Sequence, residues 1–334
     1  MDLLRKLIDA YGISASEEEV RAIIAKEIKP YVTEVRTDNL GNLIARKKGP
    51  EPRVMLAAHM DEIGLVLRSI DGEGRIYFSS IGGIVPLTIL GQRVLIEGRK
   101  KIQGVITTRE INDNIAVKEL PKMENMYIDT GLGKKELEKY AETGNYISLI
   151  QESSFLGDGN ILCGKALDDR IGCYILIELA KRLKKAKCEI YYVFTVQEEI
   201  GLYGAKTSAY TVNPAWAVAV DTTNADTVEG TKKLGKGPCI TIKDAAMLGN
   251  KCINNWLKDI ARKEKIPLQK DVSDAGSTDA LTIALSRGGI PATVVSVVVE
   301  NIHSTVGVAH RADIENAIKL LEKLLQKPPK VCIV

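Results

Sequence analysis

Four apolar runs in this chain each end near a carboxylate or an imidazole, and that pattern constrains the fold more than any other feature. Val54-Met55-Leu56-Ala57-Ala58 leads into His59 and Asp61. Ile190–Val196 leads into Glu198 and Glu199, and Ala217–Val220 leads into Asp221. Thr293–Val299 is followed closely by His303, while Asp168 and Asp169 open a helical segment, Arg170–Lys187. In α/β sheets, ligands bind outside the carboxyl ends of the strands. Several strands delivering acid or imidazole to one edge therefore point to a shared metal site.

The chain has 334 residues, enough for one large or two moderate domains with ample core. Lys and Arg number 46 against 43 Asp and Glu, a formal net charge of +3. That balance singles out neither nucleic acid nor a membrane surface as partner. No run of 18 apolar residues occurs, so no membrane span is expected. The start, Met1-Asp2-Leu3-Leu4-Arg5-Lys6-Leu7-Ile8, reads as an amphipathic helix rather than a signal peptide, and a cytoplasmic location follows as the expectation. The cysteines, at 163, 173, 188, 239, 252 and 332, show no paired short spacing. They read as buried thiols rather than a disulfide framework.

Texture divides the chain. Residues 1–30 read as helix–turn–helix, and the runs Val32–Arg36 and Leu43–Lys47 flank a turn signal, Asn39-Leu40-Gly41-Asn42, as a hairpin would. From about residue 63, short β-type runs (Ile63–Ile70, Arg75–Ser80, Arg93–Glu97, Ile102–Thr108, Tyr146–Glu152) are punctuated by glycine, the spacing of a small barrel or sandwich. After about residue 150, strands alternate with helical periods over Arg170–Lys187, Cys252–Lys265, Thr278–Ser286 and Ala312–Gln326. The simplest architecture is an α/β domain built from residues 1–62 and 151–334 and interrupted by an all-β insert, 63–150.

Each candidate residue has a plain reading beside the chemical one. His59-x-Asp61 fits a satisfied strand-end turn as well as a ligating imidazole oriented by a carboxylate. Asp168-Asp169 fits a helix cap with a first-turn acid. Glu198 and Glu199 as loop acids would be unremarkable, but at the end of a buried strand they need a partner, because burying an unpaired carboxylate is prohibitive. Asp221 makes the same demand, His303 could be structural, and His310 reads as an ordinary turn histidine. Taken together, two imidazoles and three carboxylates can furnish nitrogen and oxygen ligands for two divalent ions, with one acid left as a base for the attacking water.

The segments Ala57–Gly64, Ala166–Gly172, Thr195–Ala205, Ala219–Thr222, Ser277-Thr278-Asp279-Ala280 and Ile302-His303-Ser304 closely resemble the tetrahedral (TET) metallo-aminopeptidases, a group that includes glutamyl aminopeptidases and enzymes once labelled endoglucanases. The resemblance covers essentially the whole chain. It implies a phosphorylase/hydrolase-like α/β catalytic domain with a mixed central sheet and a β-barrel insert used for dimerisation. It further implies two divalent ions, zinc or cobalt, with His59 and Asp221 on one, Glu199 and His303 on the other, and Asp168 bridging. Asp61 would orient His59, and Glu198 would be the general base. The implied reaction removes N-terminal residues from peptides with a free amine. The implied assembly is a dimer and then a hollow tetrahedral dodecamer, with the insert serving subunit contacts rather than chemistry.

The chain departs from the pattern at Glu300-Asn301 before His303, at Thr305 after it, and at Thr107–Asp113 in the insert, which bears on substrate preference and assembly. Two rival readings remain. A glycoside hydrolase needs two acids facing each other across a sugar, and Glu198 and Glu199 are sequence neighbours whose side chains diverge. A non-catalytic paralogue with a vestigial metal site would have no use for Glu198.

Overall fold

A computed structural model of the chain describes residues 1–112, 121–226 and 232–329. The hairpin β1 (Glu34–Thr37) and β2 (Leu43–Lys47) and the strand β3 (Arg53–His59) open a large mixed sheet. The chain then leaves it for six antiparallel strands, β4 (Gly64–Ile70), β5 (Ile76–Ile81), β6 (Arg93–Glu97), β7 (Lys101–Thr108), β8 (Met126–Asp129) and β9 (Tyr146–Leu149). These close as a barrel in the order β4-β5-β8-β7-β6-β9. The chain returns through β10 (Ser154–Leu156) and β11 (Ile161–Gly164). It completes the large sheet with β12 (Glu189–Thr195), β13 (Trp216–Asn224), β14 (Cys239–Lys243), β15 (Gln269–Val272), β16 (Ala292–Glu300) and β17 (Gly307–His310).

The centre of the large sheet is the parallel quartet β12-β3-β13-β16. Its register pairs Thr195 with His59, Ala219 with Ala57, and Asp221 with Ser296, so the carboxyl ends of all four strands lie along one edge. Alternation along β3 sends Val54, Leu56 and Ala58 to a core shared with the helices Asp2–Asp9, Glu18–Ile28, Leu167–Arg182, Lys251–Glu264 and Arg311–Gln326. Met55 and Ala57 face the opposite layer, made by the helices Tyr203–Val212 and Asp279–Ala284. Both faces of the quartet are therefore covered, as its near-continuous Val/Ile/Ala runs require. The barrel has its own core, where Leu65, Ile76, Val94, Ile96, Ile106, Ile128 and Ile147 are fully buried.

Several elements differ from the sequence reading. Residues 203–212, given no element from the sequence, form a helix whose buried residues are Gly204, Ala205, Ser208, Ala209 and Val212. Its buried face is made of small residues, so it leaves almost no hydrophobic period to read. The four-residue strand β8 escaped notice because Met126-Tyr127-Ile128-Asp129 is too short to show alternation. The helix read as Arg170–Lys187 ends at Arg182, and Asp168 and Asp169 have non-helical backbone angles; Asp169 caps the helix, its Oδ1 accepting from the N–H of Gly172 at 2.8 Å. Cys163, Cys173, Cys188 and Cys239 are free, but Cys252 is disulfide-bonded, contrary to the expectation of thiols throughout. Cys332 and Asp113 lie outside the described residues. No helix among the described residues is long and apolar enough to cross a membrane.

Candidate metal centre

Along the shared edge, five side chains converge on one carboxylate. His59, the last residue of β3, points Nε2 at Oδ1 of Asp168, 3.2 Å away. His303, in the loop after β16, points Nε2 at the other oxygen, Oδ2, at 3.3 Å. Asp168 thus lies between the two imidazoles with one oxygen on each. On the His59 side, Asp221 Oδ1 and Glu198 Oε2 both lie 3.9 Å from Nε2. On the His303 side, Glu199 Oε1 lies 3.4 Å from Nε2. Two triads result, His59–Asp168–Asp221 and Asp168–Glu199–His303, each with its potential ligand atoms within 4.8 Å of one another. Glu198 belongs to neither, although it borders the first.

The groups behind these side chains differ in part from the sequence reading. His59 Nδ1 lies 3.0 Å from the main-chain oxygen of Asp61 and 3.6 Å from its carboxylate. The carbonyl is the nearer acceptor, and a proton held on Nδ1 leaves Nε2 free to ligate. The Asp61 carboxylate accepts instead from Ser14 Oγ at 2.6 Å and from the N–H groups of Glu198 and Glu199 at 3.0 and 3.2 Å. It therefore fixes the turn that carries the two glutamates. Glu17 also holds this turn, accepting from the Gln197 N–H at 3.2 Å, and burial next to Asp61 pushes its carboxyl up to about 7. His303 Nδ1 lies 2.9 Å from the main-chain oxygen of Gly83, which follows β5 of the barrel. A Cβ at Gly82 would stand 3.0 Å from Glu199 Oε2, and one at Gly83 would stand 3.2 Å from His303 Nδ1. The barrel segment thus braces one imidazole directly, where the sequence reading gave the insert no part in the chemistry. Ala166, Gln197 and His303 all take positive φ, a left-handed conformation that costs non-glycine residues energy and tends to cluster at functional sites.

Two further participants carried no role in the sequence reading. Asp279, within Ser277-Thr278-Asp279-Ala280, accepts a short hydrogen bond from Thr195 Oγ1 at the end of β12, and its Oδ1 is buried without a hydrogen-bond partner. Burial raises its carboxyl to about 6 against the lowering effect of Thr195. The sequence offered it only within the segment Ser277–Ala280 of the resemblance and without a role; its approach to Thr195 brings it to the site. The second is a cluster of Glu62, Lys165 and Arg170, immediately behind the site, with Lys165 Nζ at 2.6 Å from Glu62 Oε1. His310 N-caps the helix Arg311–Gln326 through Nδ1, 3.1 Å from the N–H of Ala312.

The electrostatics of the centre are lopsided. Glu198 is raised well above its ordinary value by burial, with Asp221, Asp279 and Glu199 adding to the effect. Asp221 is raised well above its own value by burial and then by Asp168. Burial also raises Glu199. For the imidazoles burial works the other way but is overcome: Glu198 and Asp168 hold His59 well above its ordinary value, and Asp168 and Glu199 bring His303 to about 11. Among the described residues, the ion pairs of Asp168, Glu198, Glu199 and Asp221 are with these two histidines, not with lysine or arginine. Nitrogen and carboxylate donors massed without a fixed cation fit divalent ions, which supply the missing charge.

A donor set of this kind at the carboxyl edge of a parallel sheet suits a metal-dependent hydrolase. Residues 41–320 match the M42 glutamyl aminopeptidase family. A putative aminopeptidase of Acetivibrio thermocellus is 40% identical over 328 residues, covering 96% of both chains. Among solved structures, an aminopeptidase of the archaeon Desulfurococcus kamchatkensis superposes with a TM-score of 0.93 at 35% identity, covering 98% of this chain and 94% of that one. A Pyrococcus horikoshii TET1 peptidase, described as assembling into a tetrahedron or a large octahedral shell, superposes with a TM-score of 0.89 at 33% identity, covering 97% and 98%. The chain belongs to the M42 glutamyl aminopeptidase family and is an aminopeptidase, a hydrolase acting on peptide bonds.

Proposed function

We propose that the chain removes N-terminal residues from peptides by water attack at a two-ion centre, with Glu198 as general base. The observation that carries this reading is the division of Asp168 between two imidazoles, one oxygen 3.2 Å from His59 and the other 3.3 Å from His303. A carboxylate shared between two histidine–carboxylate pairs would serve as a donor set for two ions, with His59 and Asp221 able to hold one, Glu199 and His303 the other, and Asp168 available to both. Zinc or cobalt suits nitrogen and carboxylate donors. When bound, such ions polarise the scissile carbonyl and acidify water. Glu198 takes the proton of the attacking water and returns it to the leaving amine. It borders the first triad without belonging to it, as a base must. Asp61, through the N–H groups of Glu198 and Glu199, keeps base and ligand in fixed relation. The glycoside hydrolase alternative finds no support in this arrangement, whose acids converge on imidazoles instead of flanking a sugar-sized gap.

Residues 1–62 and 151–334 form the catalytic part in this reading, and 63–150 form the insert through which two copies pair in the cytoplasm. The horikoshii peptidase's shells make a dodecamer of this chain the natural extension. Twelve chains of 36.5 kDa would weigh about 440 kDa, enclosing the sites so that peptides and unfolded segments alone reach them. Light scattering checks this; a clean monomer at micromolar concentration would overturn it.

Chelation tests the centre. Activity on aminoacyl-p-nitroanilides should vanish on removal of divalent ions and return with Zn²⁺ or Co²⁺. Full turnover in a preparation shown to be metal-free would end the two-ion reading, and activity on carboxymethylcellulose would revive the glycosidase.

A further inference from the structure

Beyond the end of β12, the N–H groups of Val196, Gln197, Glu198 and Glu199 all donate to side-chain oxygens brought in from elsewhere in the chain. Val196 donates to Asn42 Oδ1 at 3.1 Å, Gln197 to Glu17 Oε1 at 3.2 Å, and Glu198 and Glu199 to the two oxygens of Asp61 at 3.0 and 3.2 Å. All three acceptor residues are buried. Asn42 is oriented for this, since its Nδ2 donates to Asp38 Oδ2 at 2.8 Å and Thr207 Oγ1 at 3.2 Å, leaving Oδ1 for Val196. Its seat needs glycine at 204, where a Cβ would stand 2.3 Å from Oδ1. Glu17 is held by its own bend, where Oε1 also accepts from the Ala15 N–H at 2.9 Å. Among the described residues, the side-chain hydrogen bonds of Glu17 go to main-chain N–H groups and not to any side chain of the metal centre.

We infer that Glu17 is a positioning residue for the reaction: by holding the Gln197 N–H it sets the direction in which Glu198 leaves the backbone. The inference deepens the reading of Glu198 as general base and rests on it. Gln197 is the residue at which the path bends, with φ 55° and ψ 37°, and Leu202 takes the same left-handed form at the other end of the one-turn helix Glu198–Gly201. Residues other than glycine keep such angles only where their surroundings over-determine them. Asn42 fixes the strand end before the bend and Asp61 the helical turn after it. A single carboxylate gripping two adjacent N–H groups is one pivot, about which the turn can still rock. Glu17, reaching across 180 positions of sequence, holds the bend itself. A base must lie within hydrogen-bond reach of its proton, and small misplacements are expensive in rate.

The test separates reach from charge in the metal-loaded full chain, using the aminoacyl-p-nitroanilide that wild type cleaves fastest. Glu17→Asp keeps the charge but is one methylene short of Gln197, and should lower kcat about tenfold with KM within about twofold. Its ion content by elemental analysis should match wild type, because Asp61 still holds the Glu199 N–H. Glu17→Gln keeps the reach and should restore kcat to within about threefold. Placed in Glu198→Gln, the Glu17→Asp change should cost less than about twofold more, since no base is left to aim. Hydrogen exchange reads the same hold without turnover: the amides of 196–199 should exchange at least about tenfold faster in Glu17→Asp than in wild type or Glu17→Gln. Equal kcat or equal exchange in all three proteins overturns the proposal, as does a loss in Glu17→Gln that exceeds the loss in Glu17→Asp. A full tenfold loss in the Glu198→Gln background also overturns it, by giving Glu17 a general structural role. Intact kcat in Glu198→Gln alone would instead strike the base itself, and its aiming with it.

Discussion

Two buried charge clusters sit back to back in this protein, and they have opposite balances. In the metal centre, Asp168, Glu198, Glu199 and Asp221 face two imidazoles and pair with no lysine or arginine among the described residues. A few residues along the same segments, Glu62 meets Lys165 at 2.6 and 2.8 Å and Arg170 at 3.4 Å. The excess positive charge there is absorbed by main-chain carbonyls. Arg170 donates to Met60, Leu7, Ala10 and Gly12, and Lys165 also donates to Ala10, at distances of 2.6 to 3.1 Å. This second cluster is closed: every strong charge has a protein partner, and it ties the amino-terminal helix to the loops carrying His59 and Asp168. The first is open, since its donors satisfy one another only by sharing protons. Burial alone does not mark a site; burial with unbalanced charge does.

The sharpest break would come at Glu198. Glu198→Gln should retain both ions by elemental analysis yet lose at least about 10²-fold in kcat, the usual scale for a general base. Asp168→Asn, which cripples the shared carboxylate, should lose metal along with activity. An emptied centre in Glu198→Gln, or an intact kcat, would show that the open cluster is divided wrongly between base and ligands.

The closed cluster should respond in stability. Lys165→Met leaves Glu62 with Arg170 alone and should cost about 3 kcal/mol, at the low end for a broken buried pair. Adding Glu62→Gln should recover much of that loss, because removing both partners is cheaper than stranding one. Metal-loaded Lys165→Met should keep turnover within a few-fold of wild type. Equal losses in single and double variants by chemical denaturation would mean that the charges of this cluster are not coupled.

The difference between the clusters also explains what the sequence could disclose. His59, Glu199, Asp221 and His303 were legible because each follows an apolar run, and the sheet order β12-β3-β13-β16 then brings those ends together, whereas Asp168 was legible only at the opening of a helical segment. Ser14, Glu17 and the Gly82-Gly83 brace were not, because each reaches the centre from a separate element with no local signature. The carboxylate of Asp61 was assigned to His59 on spacing and on the family resemblance, whereas the turn after β12 comes to it from 137 residues away. The cationic partners of Glu62 lie more than 100 positions along the chain, so their pairing could not be read either. The helix Tyr203–Val212 was hidden by its small buried residues, while the barrel's glycine-punctuated strands were plain.

A third cluster, nearer the surface, extends the comparison and should show the smallest effect. Glu189, at the start of β12, is paired with Arg46 and with Arg53 at 2.8 Å, and its carboxylate is largely covered while both arginines are about one-third exposed. Burial would raise Glu189, but the hydrogen bonds from Arg53 and Arg46 outweigh it and hold the carboxyl below its ordinary value. A depressed folded value means that the charged form stabilises the fold above the ordinary glutamate range, near 4.3, and that this contribution is lost as pH falls through the folded value. Solvent around the arginines keeps it small. Glu189→Gln should therefore lower Tm by only on the order of 1–2 °C at pH 7, with the gap to wild type closing as pH falls from about 5 into the acid range. A gap that stayed constant down to pH 3 would assign the effect to packing, and the distinction between closed and open clusters would then rest on the two buried ones alone.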